Sequence, residues 1–364
     1  MQANEITVAV GMSGGVDSSV AAALLVEQGY QVIGIMLRLW SEDGAEADNK
    51  CCTPDAMAVA RRVAARLKIP FYVIDSKVEF RAIVVEHFLN GYSQGNTPNP
   101  CLVCNQQIRW GTMLREAQNL GADYLATGHY ARIIQTERGS VRLFKGIDPT
   151  KDQSYVLSRL NQTQLQKTIL PLGDLTKTAV REIASRFKFA SANRPDSQDL
   201  CFLGNQPLQP FIARYRPGTA LPGKICDING TVLGEHDGLA FYTIGQRKGI
   251  RIAGAEPLYV LRKDFTNNVL IVGTQSQLGN IRFTANQVVW TTGEVPDHSF
   301  QSMVKIRYRA PLVPGSVEIL SNDEFQVKLQ APARDITPGQ AAVLYNDDEV
   351  IGSGIIQTVD IEGE

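Results

Sequence analysis

The sequence contains no long hydrophobic run and few cysteines. No apolar stretch approaches the roughly 18 residues that a membrane-spanning helix needs, and the opening segment MQANEITVAVGM lacks the basic and apolar regions of a signal peptide. Six cysteines among 364 residues are too few for a disulfide scaffold. We therefore expect a cytoplasmic protein with no membrane partner, in which closely spaced cysteines serve catalysis, redox chemistry or metal binding.

The chain also has no excess of charge of either sign. The chain has 36 Lys and Arg against 37 Asp and Glu, a formal net charge of -1, so a nucleic acid would have to be bound by local basic patches. One candidate is the predicted strand VKIRYRA, in which Lys305, Arg307 and Arg309 alternate on one face. The glycine-flanked loop GQRKGIR is a second. Either patch alone is usually solvated surface, but together they are consistent with an RNA clamp.

The order of the predicted elements indicates an α/β protein followed by β-rich modules. Over roughly the first 150 residues strands alternate with helices, which is typical of a doubly wound parallel sheet, and a helical extension follows. Beyond Pro217, Gly, Pro and Asn turns separate short β-like runs, as in small β modules and barrels. We expect a catalytic α/β domain over residues 1–206, a central β-rich module over 207–280 and a C-terminal β-barrel over 281–364.

A glycine-rich turn follows the first predicted strand. The string GMSGGVDSSV places Gly14 and Gly15 at the start of a helix, where glycine permits close backbone approach and the helix NH groups face an anion. Asp17 can bind Mg²⁺ or a water that bridges to phosphate. Neither a Walker loop nor Gly-x-Gly-x-x-Gly is present. A plain Ser-capped turn is the alternative, but the full Ser-Gly-Gly-x-Asp-Ser string favours nucleotide binding.

Three cysteines are candidate nucleophiles. Cys101 and Cys104 form a Cys-x-x-Cys motif just before a helix predicted from about Asn105 to Leu120, a position that lowers the pKa of a thiol. Cys201 is the third, although a lone cysteine followed by Phe and Leu is usually a small buried apolar residue. A structural role is expected for Cys51, Cys52 and Cys226.

Motifs along almost the whole chain carry a resemblance to a known family. GMSGGVDSSV is similar to the pyrophosphate loop (PP-loop) of the ATP pyrophosphatase superfamily. Together with TPNPCLVCN, ATGHYAR, KDQSYVL, DSQDLCFLG, FYTIGQRKGI, VKIRYRA and TPGQAAVLYN, in this order, it resembles the tRNA-specific 2-thiouridylase family. The resemblance implies ATP-dependent 2-thiolation of the wobble uridine in tRNAs for Lys, Glu and Gln. In that reaction the uracil O2 is adenylated with release of pyrophosphate, sulfur arrives as persulfide, and AMP leaves.

The resemblance also implies partners and a set of functional residues. The partners would be tRNA, bound largely by the central module, and an upstream persulfide-relay protein or cysteine desulfurase. ATP, with Mg²⁺ held through its phosphates and Asp17, would be bound by Gly11, Met12, Ser13, Gly14, Gly15, Val16, Asp17, Ser18, Leu37 and Gly128. Cys104 would be the nucleophile and Cys201 the persulfide carrier, while the target base would meet Asn99, Pro100 and Cys101. The implied tRNA contacts are His129, Lys151, Asp152, Gln153, Arg307, Tyr308 and Gln340.

Cys101 departs from the family pattern, because many members carry Asp at this position. An accessory thiol beside the nucleophile is one interpretation. In a second interpretation, Cys101, Cys104 and Cys201 ligate a 4Fe-4S cluster whose fourth iron holds sulfide. The sequence leaves the persulfide relay and the cluster open.

Two other functions compete with tRNA thiolation. A small-molecule adenylating ligase of the same superfamily would leave the Cys-x-x-Cys motif, Cys201 and the basic patches without a role. A non-catalytic tRNA-binding protein would not need Asp17, Cys104 and Cys201 together. Both are therefore less favoured than a tRNA-uridine 2-sulfurtransferase.

Overall fold

The computed structural model describes residues 2–42, 53–137, 139–192, 194, 200–204, 206–253 and 256–360. Its strands, in chain order, are β1 Thr7–Gly11, β2 Gln31–Arg38, β3 Phe71–Asp75, β4 Tyr124–Ala126, β5 Ala131–Gln135, β6 Val141–Lys145, β7 Thr168–Ile169, β8 Gly223–Cys226, β9 Val232–His236, β10 Tyr259–Asp264, β11 Val269–Gly273, β12 Asn280–Trp290, β13 Ser299–Lys305, β14 Val313–Ser321, β15 Glu324–Ala333, β16 Ala341–Asn346 and β17 Glu349–Asp360.

The helices cluster in the first part of the chain. They are α1 Val16–Glu27, α2 Pro54–Leu67, α3 Lys77–Phe80, α4 Glu86–Ser93, α5 Pro100–Val103, α6 Leu114–Asn119, α7 Ser154–Leu157, α8 Gln162–Leu165, α9 Lys177–Arg186 and α10 Leu208–Tyr215. A π-helical segment, Arg81–Val85, joins α3 to α4, and a longer one, Cys104–Met113, joins α5 to α6. Short 3₁₀ turns lie at Ala3–Glu5, Pro217–Thr219, Leu239–Phe241 and Gln275–Gln277.

The first sheet is parallel and covered on both faces, which confirms the predicted doubly wound architecture. Its strand order is β3-β2-β1-β4-β7. Alternate residues of β1 enter opposite cores, because successive side chains of a strand point to opposite faces. Val8 and Val10 pack with α1, α2 and α9, whereas Ala9 packs with Trp110 and Met113 of the longer π-helix. The carboxyl ends of β1, β2 and β4 therefore meet at one edge.

Two β modules follow, as expected. Strands β10-β11-β8-β9 form a small mixed sheet, and β12-β15-β14-β13-β16-β17 close into a barrel through the pairing of β12 with β17. Strands β5 and β6 form a hairpin that the sequence pattern does not predict. This hairpin adds to the barrel sheet, since Leu143 pairs with Val350. The α/β domain and the barrel thus share a sheet.

No helix among the described residues is long and apolar enough to cross a membrane.

A buried arginine also connects the α/β domain to the barrel. Arg159, between α7 and α8, is 7% exposed, and its guanidinium donates hydrogen bonds to the carbonyls of Gln287 and Ser353. Burial lowers the pKa of Arg159 to about 10, so the side chain still carries its charge at neutral pH. Arg159 thus supplies a charged donor to two backbone carbonyls of the barrel.

Replacing Arg159 with Met should destabilise the protein by about 2–4 kcal/mol, because buried carbonyls lose a charged donor. The midpoint of thermal unfolding reports this loss. Arg115→Met is the matched control: Arg115 forms an exposed ion pair with Glu79, and such pairs contribute little. Equal midpoints for the two variants would contradict the structural role of Arg159.

Candidate active site

The glycine-rich turn between β1 and α1 forms an open phosphate loop. Gly14 has a φ of +73°, and a Cβ there would lie 2.3 Å from the carbonyl oxygen of Ala56, so glycine is needed for both conformation and space. A Cβ on Gly128 would lie 2.7 Å from the backbone of Asp17 and Ser18. The N-cap Gly15 supplies no side chain to cap α1. The first NH groups of α1 are therefore suited to bind an anion.

Serine hydroxyls fix the shape of this loop. The hydroxyl of Ser18 accepts a hydrogen bond from the backbone NH of Ser13 at 3.2 Å and donates to the carbonyl of Gly15. Ser19 donates to the same carbonyl at 2.8 Å. These bonds fix the path of the loop backbone.

The side chain of Asp17 lies in a cluster that sequence motifs did not reveal. Its carboxylate accepts hydrogen bonds from Lys177 Nζ at 2.7 and 2.8 Å and from the hydroxyl of Tyr130 at 2.7 Å. Lys177 is the first residue of α9, 160 residues away in sequence. Its only local signal is the Thr176 N-cap that starts the helix, and nothing in the sequence connects it with the loop.

The helix that carries the Cys-x-x-Cys motif begins earlier than predicted. It starts at Pro100, because Asn99 caps it by accepting the backbone NH of Cys101 at 3.1 Å and proline is favoured at the first helical position. The predicted start near Asn105 is wrong. Cys101 lies in the first helical turn and is exposed, while Cys104 begins the π-helical segment and is buried.

Cys104 and Cys201 belong to one apolar cluster. Both contact the group of buried side chains that includes Phe88, Phe202 and Phe211, and Cys201 is half-buried. Cys101 is exposed and lies outside this cluster. The described side chains contain no group of three His, Cys, Asp or Glu residues placed to hold a metal ion. Cys226 is buried in β8, and Cys51 and Cys52 lie outside the described residues.

Leu37 and Met113 connect the phosphate loop with the cysteine cluster. Leu37, near the carboxyl end of β2, packs against the cluster that contains Cys104. Met113 ends the π-helix that Cys104 begins, and a Cβ on Gly11 would lie 2.9 Å from its methyl carbon. The cysteine cluster therefore packs against the carboxyl end of β2, next to β1, whose carboxyl end leads into the predicted phosphate loop. This edge is the usual ligand position in such sheets.

The loop before Asn99 is held by both β modules. The backbone NH of Thr97 donates to the carbonyl of Pro338 at 2.8 Å, and Gln340 Nε2 donates to the carbonyl of Thr97 at 2.6 Å. The hydroxyl of Thr97 lies 3.5 Å from that of Thr243 in the central module. Gln340, a predicted tRNA contact, thus positions the segment that leads to the cysteines.

Arg307 occupies the same junction, not a strand face. Strand β13 ends at Lys305, and the chain turns at 307–310, where the NH of Ala310 bonds to the carbonyl of Arg307. The predicted alternation along VKIRYRA is therefore wrong beyond Lys305. Arg307 donates to the carbonyl of Ile244 at 3.1 Å and to the hydroxyl of Thr337. It joins the central module to the barrel.

Tyr308 is partly exposed and lies near Tyr155 and Lys305. Its ring lies 6.1 Å from that of Tyr155, and Lys305 Nζ lies 5.9 Å from it. Burial and the charge of Asp152 raise the pKa of Tyr308, and Cys101 contributes in the same direction.

The other predicted tRNA contacts have partners within the protein. His129 is buried, its Nδ1 lies 2.7 Å from the hydroxyl of Thr127, and burial, with a smaller effect of Arg109, lowers its pKa to about 3. Its ring is neutral at pH 7 and offers no charge to a phosphate. Asp152 accepts from the NH groups of Gly146 and Ser154, and Gln153 Oε1 accepts from the NH of Tyr130. Lys151 is partly exposed.

Three family models match the chain. The model for the tRNA methyl transferase HUP domain matches residues 6–205, that for the tRNA methyl transferase PRC-barrel domain matches 209–274, and that for the aminomethyltransferase beta-barrel domain matches 280–356.

Curated proteins resemble the chain over nearly its full length. The tRNA-specific 2-thiouridylase MnmA of Chloroflexus aurantiacus is 44% identical over 350 residues, covering 96% of this chain and 98% of that protein. The protein of the same name from Geobacter metallireducens is 43% identical over 361 residues, covering 98% of each. Among solved structures, the U34-tRNA thiolase NcsA from Methanococcus maripaludis with its [4Fe-4S] cluster has 21% identity and covers 60% of this chain and 69% of that chain. Its TM-score of 0.35 is too low to carry an argument.

Replacing Arg307 with Ala should lower stability by about 1–3 kcal/mol, because Ile244 and Thr337 lose a largely buried donor. The midpoint of thermal unfolding measures the effect. Arg309→Ala, on the same turn but exposed, should change stability by less than about 0.5 kcal/mol. If the Arg307→Ala variant is as stable as the wild type and only binds tRNA more weakly, Arg307 contacts RNA and does not serve mainly to join the modules.

Proposed function

Because the chain belongs to the tRNA-specific 2-thiouridylase family, we propose that it is a sulfurtransferase that converts the wobble uridine of tRNAs for Lys, Glu and Gln to 2-thiouridine at the expense of ATP. The observation that carries this proposal is that the cluster with Cys104 and Cys201 packs against Leu37, at the carboxyl end of the sheet from which the phosphate loop also starts. A nucleotide site next to two clustered thiols is what activation of an oxygen followed by sulfur transfer requires.

The phosphate loop binds ATP and directs its α-phosphate to the uracil O2. The residues present fit this ligand: the glycine backbone is open to close approach, the NH groups that begin α1 face an anion, and Leu37 and Gly128 border the same edge. Asp17 fits Mg²⁺, which binds proteins through one or two carboxylates together with substrate phosphates. Attack of O2 on the α-phosphate forms the adenylated uridine and expels pyrophosphate, so that C2 gains a good leaving group.

The two clustered cysteines divide the sulfur chemistry. A persulfide on Cys201 supplies its outer sulfur to C2, and AMP leaves with the O2 oxygen. The thiolate of Cys104 then attacks the inner sulfur of Cys201, so a disulfide between the two cysteines forms while the bond to the transferred sulfur breaks. The sulfur stays on C2, and a cellular dithiol reduces the disulfide before the next turnover. An upstream persulfide-relay protein or cysteine desulfurase reloads Cys201 in the cytoplasm.

The persulfide relay is preferred to a 4Fe-4S cluster. A cluster would need Cys101, Cys104 and Cys201 around one point, whereas Cys101 is exposed in the first helical turn and the other two lie in an apolar cluster. In the relay, Cys101 serves as an accessory thiol beside the target base. No residue outside the two clustered cysteines is then needed to carry sulfur.

The target base enters between Asn99, Cys101 and Tyr308. A wobble uridine must leave its stack to reach Cys104, and the exposed ring of Tyr308 provides a face on which a flipped base can stack. Lys151 lies beside this entrance, and the loop that contains Arg247 and Lys248 is exposed on the central module. These side chains are the proposed contacts to the RNA backbone.

Replacing either Cys104 or Cys201 with Ser should abolish 2-thiouridine formation, measured by mass spectrometry of digested tRNA after incubation with ATP and a persulfide donor. The two variants should differ in one respect. In Cys104→Ser no thiolate attacks Cys201, so tRNA should accumulate joined to Cys201 through a disulfide, and a dithiol should release that tRNA. Cys201→Ser should form no such adduct. Cys226→Ser, outside the site, should remain active.

Three results would contradict parts of this proposal. If Cys104→Ser still forms 2-thiouridine, Cys104 has no required role in the reaction. Pyrophosphate release that needs a small acid or amide in place of tRNA would favour an adenylating ligase, and a chain that binds tRNA without turning over ATP would be a binding protein.

Arg247→Ala should weaken tRNA binding and lower the slope of log affinity against log salt by about 1, because a lost phosphate contact releases one counterion fewer. Arg115→Ala, exposed on the α/β domain, is the control and should leave the slope unchanged. If Arg247→Ala leaves the salt dependence of tRNA affinity unaltered, Arg247 makes no phosphate contact and its loop is solvated surface.

A further inference from the structure

The helix that carries the Cys-x-x-Cys motif, here called the cysteine helix, is wider than an α-helix over the segment that Cys104 begins. In an α-helix the NH of Leu114 would bond to the carbonyl of Trp110, four residues earlier. Here that NH bonds to the carbonyls of Arg109 and Gly111 instead. Such π-helical turns are rare and are frequent at functional sites. The carbonyl of Trp110 is therefore released from the regular α-helical pattern.

Gln164 on α8 donates to this released carbonyl. Its Nε2 lies 3.1 Å from the carbonyl oxygen of Trp110 and 2.9 Å from that of Gln106, so one amide group donates to two carbonyls of the π-helical segment. Its Oε1 accepts the backbone NH of Asn161 at 3.2 Å, which completes the capping box of α8. Both ends of the Gln164 amide are thus engaged, and its donor half serves the cysteine helix.

A second set of hydrogen bonds closes a ring around Trp110. The indole NH donates to the hydroxyl of Thr168, and that hydroxyl donates to the carbonyl of Gln164 at 2.7 Å. Trp110 is 2% exposed, and buried polar groups are stable only when they are hydrogen-bonded. The middle of the π-helical segment is therefore held by α8 and by the strand that follows it.

The width of this segment decides where the nucleophile points. Met113 ends the segment and is fixed against Gly11 in the phosphate loop, so the number of residues per turn sets the direction of Cys104 about the helix axis. In the π-helical register, Cys104 enters the apolar cluster that also contains Cys201. The neighbouring Asn105 then donates to a backbone carbonyl of α7 at 3.0 Å. An α-helical register would turn both side chains away from these positions.

We propose that Gln164 is a positioning residue for Cys104: its amide stabilises the π-helical register of residues 104–113, and this register directs the Cys104 thiol toward Cys201. The assignment rests on the proposed function, in which Cys104 attacks a sulfur of Cys201. Gln164 acts through the backbone of the cysteine helix and takes part in no covalent step. It sets the fraction of molecules in which the two sulfurs can react.

The substitution that tests this role is Gln164→Glu. A carboxylate at this position keeps the acceptor that completes the capping box of α8, but it has no NH to donate to the two carbonyls of the cysteine helix. Gln162→Glu is the matched control, because Gln162 accepts the backbone NH of Val141 and donates to the carbonyls of Val141 and Thr291. Each substitution removes from α8 a side-chain donor to two carbonyls, but only the first affects the cysteine helix.

The measurement is the rate at which iodoacetamide alkylates each cysteine of the folded full chain, followed by peptide mass mapping across the pH range in which thiols ionise. Gln164→Glu should raise the alkylation rate of Cys104 tenfold or more at each pH, because the thiol turns out of the apolar cluster. Gln162→Glu should change that rate less than twofold, and the buried Cys226 should react equally slowly in all three proteins. A rate for Cys104 that does not rise in Gln164→Glu, or that rises equally in Gln162→Glu, overturns the proposal.

A second measurement connects the position of the thiol with the proposed reaction. The equilibrium of the Cys104–Cys201 pair with glutathione, measured without ATP or tRNA, reports how well the two sulfurs meet. Gln164→Glu should lower the equilibrium constant for this disulfide tenfold or more, and Gln162→Glu should leave it within twofold of the wild-type value. An unchanged constant in Gln164→Glu would show that Gln164 does not position Cys104. If the alkylation of Cys104 depends on Gln164 as described but the wild-type chain never thiolates tRNA, the proposed function is refuted and the assignment of Gln164 stands.

Discussion

The structure depends most on how the start of the cysteine helix is fixed. Asn99 caps this helix and Thr97 is bonded to Pro338 and Gln340, so one short segment is tied both to the α/β domain and to the barrel. In the proposed reaction Cys104 acts on an activated base, which requires that the phosphate loop and the two β modules keep a fixed register relative to each other. The hydrogen bonds of Thr97 and the hairpin that joins the barrel sheet set that register.

A chain of contacts also connects the entrance for the base with the phosphate loop. Gln153 and Tyr130 exchange two hydrogen bonds that involve their backbones, and the hydroxyl of Tyr130 reaches Asp17. The adjacent Asp148 fixes the backbone of Lys177. The segment 148–153 therefore contacts the two side chains that bind Asp17 in the predicted phosphate loop. In the proposed reaction, the residues assigned to the RNA are thus coupled to the site where the uridine is activated.

Much of the α/β domain could be predicted from sequence because its signals are local. The alternation of apolar strands and helices and the glycine turn at residues 14 and 15 depend on near neighbours, and the architecture was confirmed. The start of the cysteine helix is also a local signal, because Asn99 and Pro100 form a clear N-cap and first-turn pair. The predicted start near Asn105 did not use this signal. Lys177 and the β5–β6 hairpin were missed because their partners are distant in the chain. Arg307 was misassigned because an alternating pattern does not reveal that β13 ends at Lys305.

The most direct test of the account is a single turnover by iron-free protein whose Cys201 has been loaded with persulfide, given ATP and tRNA without reductant. The intact mass and a peptide map of the protein are then compared with the amount of 2-thiouridine formed. The account predicts one disulfide between Cys104 and Cys201 for each thiouridine. Thiouridine that appears only after iron and sulfide are restored, or that forms while Cys104 remains a thiol, would contradict it.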